Sequence, residues 1–530
     1  MSVPFDFQSG RRPPNYASRA MIATSHGLST SAGLAVLAEG GNAVDAAIAA
    51  SAVQAVVDPQ MTGIGGDCFV LYAPKGGAVR ALNGSGRAPA AATPEALAAA
   101  GVTELTQTSV HSVTIPGAIS AWCLLHADYC SLPLDRLFAP AIDYAENGFP
   151  LSTRVARDFA ESAEILRGDE HATAVFLPQG DPYPGQVLRQ PLLGRRLREI
   201  ASNGAAAFYK GETAASMAAH LQSLGGLHRV EDFHEGLTTA RWEEPIAASY
   251  HGYEVLECGP NGQGLAALMM LRILEGFDLG PARPLADRIH LQAEATKLAY
   301  HHRDALIADA DHCRGVVDEL LSDRVIDSLR ARIDPRRASA PTLWTEPEHR
   351  DTVYMCVVDH EGSAISFINS VFHGFGSTRL CPKTGVLFHS RGASFRLQPG
   401  HPNCIGPGKR PLHTIIPGML RKDGRLIMPF GVMGGQYQAA GHAALMSALI
   451  DRGLDPQAAI DEPRSFAYEG VLRIEASHPS DVLDDLAARG HKLDVTQDPI
   501  GGAQAIRIDS DNGVLIGGSD SRKDGAALGF

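Results

Sequence analysis

Residues 352 to 370, TVYMCVVDHEGSAISFINS, restrict the possible folds more than any other stretch of this chain. Successive strand residues point to opposite sides of a sheet. Here Val353, Met355 and Val357 fall on one side and Tyr354, Cys356 and Val358 on the other, and all six are apolar. A strand with no polar face belongs in the middle of a sheet that is covered on both sides. DHEGS closes the hairpin through His360, Glu361 and Gly362, with the glycine in the left-handed position that three-residue loops favour. Asp359 then faces Ser363, partner numbers keep a constant sum of 722, and Thr352 falls opposite Ser370. Directly opposed Cβ atoms lie about 4.5–5.5 Å apart on one face, within reach for two hydroxyls to hydrogen-bond.

The remaining sequence supplies helices to cover such a sheet. Residues 29–57 read as two helices broken at Gly40-Gly41, the first opened by a Ser/Thr cap. Apolar residues at i, i+3 and i+4 predict further helices over 135–149, 193–209, 264–277 and 286–307. YEVLEC at 253–258 is a short strand between them. Near residue 335 the texture changes to DPRRASAPTLWTEPEHR, rich in Pro and charge and without periodicity, as in an exposed linker. Beyond it VYMCVVD, SAISFINS, GVLFH, RLIMPFGVM, AQAIRID and GVLIGG read as strands, with a helix near 437–452. Length alone allows about three or four domains. The pattern instead reads as a mixed α/β body with one exposed joint before Thr352.

Composition narrows the function classes. A formal charge of −13 without any Lys/Arg run opposes nucleic acid and anionic membranes as partners. The longest apolar run, 43–57, contains Asp45 and Gln54 and is too short to span a bilayer, so it reads as a buried helix. The N-terminal twenty residues lack a signal-peptide pattern, and the eight cysteines are scattered without metal-ligand spacing, so free thiols in a cytosolic protein are expected. No metal or organic cofactor is expected. His301 and His302 are adjacent and diverge on a helix, and MTGIGGDCF lacks dinucleotide-loop spacing; its glycines read as a tight turn.

A hydroxyl pair at the end of a buried central sheet, just after an exposed joint, meets the requirements of an N-terminal-nucleophile hydrolase. Cutting the Asp351–Thr352 bond frees an α-amine beside the Thr hydroxyl, and that amine can serve as its general base. The ordinary alternative is a cross-strand hydrogen bond between two common residues.

Further segments decide between these readings. DTVYMCVVDHEGSAISFINSVFHGFGS, PGKRPLHTIIPGM and PFGVMGGQ, together with the upstream GGNAVDAAIAASAVQAVVDPQMTGIGGDCFVLY, NGSGRAPAAATPEAL, TIPGAISAW, GLHRVEDF and YHGYEVLECGPNGQGLAALMMLRILEGFD, resemble the γ-glutamyltransferase (glutathione hydrolase) family in order and spacing. The resemblance implies a four-layer αββα sandwich, made as one precursor and self-processed into interlocked chains of residues 1–351 and 352–530. It implies Thr352 as nucleophile, Ser370 as the residue that orients it, and the backbone N–H groups of Gly434 and Gly435 as oxyanion donors. It also implies Arg87 as the fork for a substrate carboxylate.

Departures from the family pattern fall on substrate recognition. Ser394, in RGASF, stands where glutathione-cleaving members hold the substrate ammonium with an acid; Phe372 replaces a polar residue; His413 and Thr414 replace a Ser pair. A neutral hydroxyl cannot complement a buried cation, and Arg391 adds positive charge if it faces the pocket. His413 is expected to line the pocket or to be structural, since the α-amine already offers a base. The leading expected substrate is a γ-glutamyl amide such as glutathione. A small anionic amide of the oxamate kind, or a cephalosporin side chain, is the close alternative, and an uncleaved small-anion binder is the non-enzymatic one.

Overall fold

The computed structural model describes residues 11–340 and 352–530. Two seven-stranded sheets lie face to face. The first runs in the order Ala527–Gly529, Met21–Thr24, Val353–Val358, Ala364–Ser370, Asp67–Ala73, Arg80–Gly84, Arg241–Glu243. The second runs Asn15–Ala17, Val514–Ser519, Gly502–Asp509, Arg425–Met433, Gly418–Lys422, Tyr253–Glu257, Ile246–Tyr250. Each sheet takes strands from both sides of position 352, so the two lengths of chain share both sheets.

The hairpin sits at the centre of the first sheet in the register read from sequence, from Val353↔Asn369 to Val358↔Ala364. Gly362 has φ +92°, and Asp359 N–H donates to Ser363 O at 3.0 Å. The Asp359 carboxylate also accepts from the N–H groups of Glu361 and Ser363, at 3.0 and 2.9 Å, so the loop is fixed by the aspartate as well as the glycine.

Its two apolar faces enter two separate cores. Met355 and Val357 pack with helices that include Gly27–Ala38 and Ala43–Val57. Tyr354, Cys356 and Val358 meet Met419, Met433 and Ile506 of the opposite sheet. Phe430 and Val432, on the outer face of that sheet, pack with helices Gly264–Leu274, Leu285–Leu306 and Gln438–Ile450. An αββα order follows, because each sheet has two apolar faces and each must be covered. Tyr354 Oη and Ser366 Oγ lie 2.8 Å apart, and Ser366 Oγ donates to Phe430 O at 3.1 Å, tying one sheet to the other.

Several local expectations are corrected. The first helix begins at Gly27 with His26 as its cap, Nδ1 accepting from Leu28 N–H, because the chain turns into the helix two residues after strand Met21–Thr24 and so puts Ser29 and Thr30 inside the first turn. The second is capped by Asn42 in a reciprocal pair with Asp45. The helix expected over 193–209 is two, Pro191–Asn203 and Ala206–Tyr209, separated at Gly204, whose φ is +65°. GVLFH forms no strand; turn bonds such as Cys381 N–H to Val386 O hold it, leaving one isolated bridge between Leu380 and Leu387. Much of the expected joint, 341–351, lies outside the described residues. Among those described, no helix is long and apolar enough to cross a membrane, and the eight cysteines are free.

The turn before strand Asp67–Ala73 is packed against the hairpin end by glycines. A Cβ on Gly66 would stand 2.3 Å from Ser370 O, and one on Gly65 would stand 2.1 Å from Leu387 O. Backbone faces backbone in both places, so neither neighbour can swing away. Gly66→Ala is expected to cost about 1–3 kcal/mol of stability, read by chemical denaturation, through forced displacement of the Ser370 strand end.

Candidate active site

One more step of the central register sets Thr352 against Ser370, and Ser370 pairs in turn with Asp67 on the next strand. Three side chains of one row therefore lie on three adjacent strands. Even-numbered hairpin residues face the opposite sheet, which places Thr352 and Ser370 between the sheets. Both are buried. Thr352 Oγ1 lies 3.3 Å from Ser370 Oγ, and Gln438 Nε2 donates to it at 3.3 Å. Ser370 Oγ accepts the Phe372 N–H at 2.9 Å, bending the chain so that Phe372 adopts φ +83°.

Gly434 and Gly435 join strand Arg425–Met433 to helix Gln438–Ile450, with φ of +121° and +57°. Side chains rarely adopt these angles, and a Cβ on Gly434 would also stand 2.7 Å from Gly501 Cα. The tight turn brings Gln438 to Thr352. Gln263 Nε2 donates to Thr414 O at 2.7 Å and Gly435 O at 3.2 Å, while its Oε1 accepts from Arg303 Nη1 at 2.8 Å. Gln263 thus ties the glycine turn to the segment that carries His413 and Thr414.

Asp67 is the electrostatic centre of the row. Its Oδ1 accepts from Gly86 N–H at 2.9 Å and Gly117 N–H at 3.1 Å. Its Oδ2 lies 3.1 Å from His413 Nε2 and 3.5 Å from His389 Nδ1. Burial alone would raise the Asp67 pKa, but His389, His413 and the charge of Arg391 outweigh it and hold the carboxyl at about 2. His413 Nδ1 accepts from Ile415 N–H at 3.4 Å, so Nε2 carries the hydrogen that faces Asp67. Burial, then Arg391, hold His413 neutral with a pKa of about 3. Its ring is an anchored donor to Asp67, in keeping with a structural part.

Arg391 is fully buried in the turn Arg391–Ser394. Its Cζ stands 4.0 Å above the Phe372 ring, and Nη1 donates to Thr414 Oγ1 at 3.0 Å. Its Nε and Nη2, and the buried Ser394 hydroxyl, have no hydrogen-bond partner among the described residues. Burial pulls the guanidinium down to about 9, against the opposing pull of Asp67, so it stays charged at neutral pH. Arg87 is placed differently. It is one-third exposed, donates to Gly408 O at 2.8 Å and meets Asp309 at 3.7 Å, so the carboxylate it faces belongs to its own chain.

A cleft of about 840 Å³ lies alongside, lined by residues including Gln60, Arg154, Asp158, His373, Gly501 and Lys523. The row thus gathers Thr352, Ser370, Gly434, Gly435, His413, Thr414, Arg391 and Ser394, and adds Asp67, Gln263 and Gln438, which the sequence reading left without roles. Among the described residues one group has metal-ligand proximity, His290, Glu294 and His491, and it shares no residue with this row. Its carboxylate already accepts from Lys297 Nζ at 2.6 Å.

The chain is similar to known proteins over nearly its whole length. The γ-glutamyltranspeptidase family model matches residues 29–530. A glutathione hydrolase-like proenzyme of Bacillus subtilis is 35% identical, over 97% of this chain and 99% of its own. The oxamate amidohydrolase proenzyme of Klebsiella pneumoniae is also 35% identical, with the same coverage of 97% and 99%. The crystal structure of cephalosporin acylase from Bacillus halodurans superposes with a TM-score of 0.92 at 40% identity, covering 100% of this chain and 99% of that one. With the family model, the four-layer core and these full-length likenesses in agreement, the chain belongs to the γ-glutamyltranspeptidase family of N-terminal-nucleophile hydrolases.

Proposed function

We propose that the protein is a self-processing threonine amidohydrolase whose preferred substrates are small amides with a carboxylate on the acyl side, the oxamate class ahead of γ-glutamyl amides. The observation that carries this reading is the buried Arg391, with two N–H groups facing no acceptor among the described residues, beside Ser394, whose hydroxyl is equally unengaged. A buried guanidinium without acceptors is costly, and a bound carboxylate offers it a planar pair of charge-assisted bonds. A γ-glutamyl group would also bring an ammonium. Ser394 offers that cation no charge, Arg391 repels it, and Asp67 already faces Gly86, Gly117 and His413.

In this mechanism the Thr352 hydroxyl attacks the amide carbon while the free α-amine of Thr352 takes its proton. Ser370 and Gln438 fix the direction of attack. The N–H groups of Gly434 and Gly435 stabilise the developing oxyanion, and the α-amine returns the proton to the departing amine. Water or an acceptor amine then releases the acyl group. A second reading, hydrolysis of a bulkier acylated amine such as a cephalosporin, is supported by the 840 Å³ cleft and the likeness to the Bacillus halodurans acylase.

Parallel assays on oxamate, a γ-glutamyl anilide and a cephalosporin separate these substrates; turnover of the anilide alone would overturn the preference for oxamate. Thr352→Ala is expected to leave one full-length band on denaturing electrophoresis and no turnover, whereas the native protein gives two. Arg391→Lys keeps the charge but loses the fork. It should still process, with kcat/KM on oxamate reduced about 10- to 100-fold, the worth of one or two charge-assisted bonds.

A further inference from the structure

We propose that Asp58 carries the proton that moves between the Thr352 hydroxyl and the Thr352 main-chain nitrogen when the bond before Thr352 is cut. The inference rests on the reading of Thr352 as the self-cleaving residue and adds the group that handles its proton before any α-amine exists.

The geometry begins with the strands. Met21–Thr24 runs antiparallel to Val353–Val358 with Thr24 opposite Met355, so Ser25 and His26 continue beside the residues that follow Thr352. There Thr352, Ser25, His26 and Asp58 line a small cavity with Arg154, Asp158, Lys523 and Asp524. Its volume of about 10 Å³ matches a single water-sized group. Arg154, Asp158 and Lys523 also line the large cleft, so the cavity adjoins solvent there.

Asp58 ends helix Ala43–Val57, where the last carbonyls disfavour a negative charge. Gln60 Nε2 donates to its Oδ1 at 2.6 Å and Gln54 Nε2 to its Oδ2 at 3.3 Å. Gln60 Nε2 also reaches Asp158 Oδ2 at 3.3 Å, and Asp158 Oδ1 accepts from Arg154 Nε at 2.7 Å. Burial raises the Asp58 pKa to about 7; Lys523 opposes, Asp158 adds to the rise, Gln54 opposes and Asp524 adds. A carboxyl so poised can both accept and return a proton near neutrality. His26, the imidazole in the same cavity, is held near 4 by burial despite Asp524, and stays neutral.

The step balances without an outside reagent. Ionised Asp58 takes the Oγ proton, the Oγ–C bond forms to the preceding carbonyl, and the C–N bond breaks as Asp58 hands the proton to nitrogen. Water then attacks the ester: its oxygen bonds to the carbonyl carbon, the C–Oγ bond breaks, and a water proton restores the hydroxyl. Asp58 ends as it began.

Because a precursor has no α-amine at Thr352, a titration of processing near neutrality has to come from a side chain. The test uses full-length precursor from cell-free translation, moved into buffers between about pH 5 and pH 9, with cleavage followed by denaturing electrophoresis. The base form of Asp58 is needed, so the native rate should be level above about pH 7 and fall about tenfold per unit below it. Asp58→Asn should be slower by about 100-fold or more and lose that dependence, with melting close to native. A native rate that does not change across pH 7 would overturn the proposal even if the variant fails to fold. A folded Asp58→Asn protein that cleaves at the native rate would do the same. Cleavage persisting in Thr352→Ala would instead strike the reading of Thr352 itself, and this inference with it.

Discussion

The antiparallel pairing of Val353–Val358 with Ala364–Ser370 is the constraint on which the rest of the structure depends. A slip of one residue would exchange the two faces and draw Thr352 from the space between the sheets to the helix side. Two features hold the register. The Asp359-Gly362 loop fixes it at one end, and packing of both apolar faces against different neighbours fixes it along the length. The hydroxyl pair at the open end takes its position from this pairing, and nothing in Thr352 or Ser370 alone would bring them together.

Charge at the row is arranged around the same pairing. Asp67 comes beside Ser370 because its strand is the next neighbour, and the glycines before it allow that approach. Once buried, its carboxylate needs donors, and it draws them from Gly86, Gly117 and His413. It also offsets part of the cost of burying Arg391. Arg391 is thereby kept as a cation away from bulk water, with the neutral imidazoles of His373 and His413 near it.

Much of this was legible in the sequence wherever the determining contacts are local or periodic. The hairpin, its loop glycine, the central placement and the helices over 43–57, 264–274 and 438–450 follow from patterns within a few residues of one another. Family resemblance supplied the Thr352, Ser370 and glycine-pair positions. Asp67 escaped because its meaning lies in partners 303 and 346 positions away, Ser370 and His413, which no local pattern announces. Gln438 escaped because a glutamine on a buried helix looks like any other until the turn at Gly434-Gly435 aims it. Arg87 illustrates the converse: its motif is present, yet Asp309 and the Gly408 carbonyl compete for the guanidinium in three dimensions.

Strands from before and after position 352 interleave in both sheets, which decides what the proposed cut there would leave behind. Uncut, the chain folds as one molecule, so the two lengths are present to each other at a concentration fixed by their tether. A break at that position would remove the tether, while the interwoven sheets would keep the pieces from separating without dismantling what they share. Reassembly from separated fragments would be a bimolecular event, slow at the concentrations of a cell. A cut form would therefore persist by the height of its unfolding barrier, as an heirloom of a folding reaction it could no longer easily repeat.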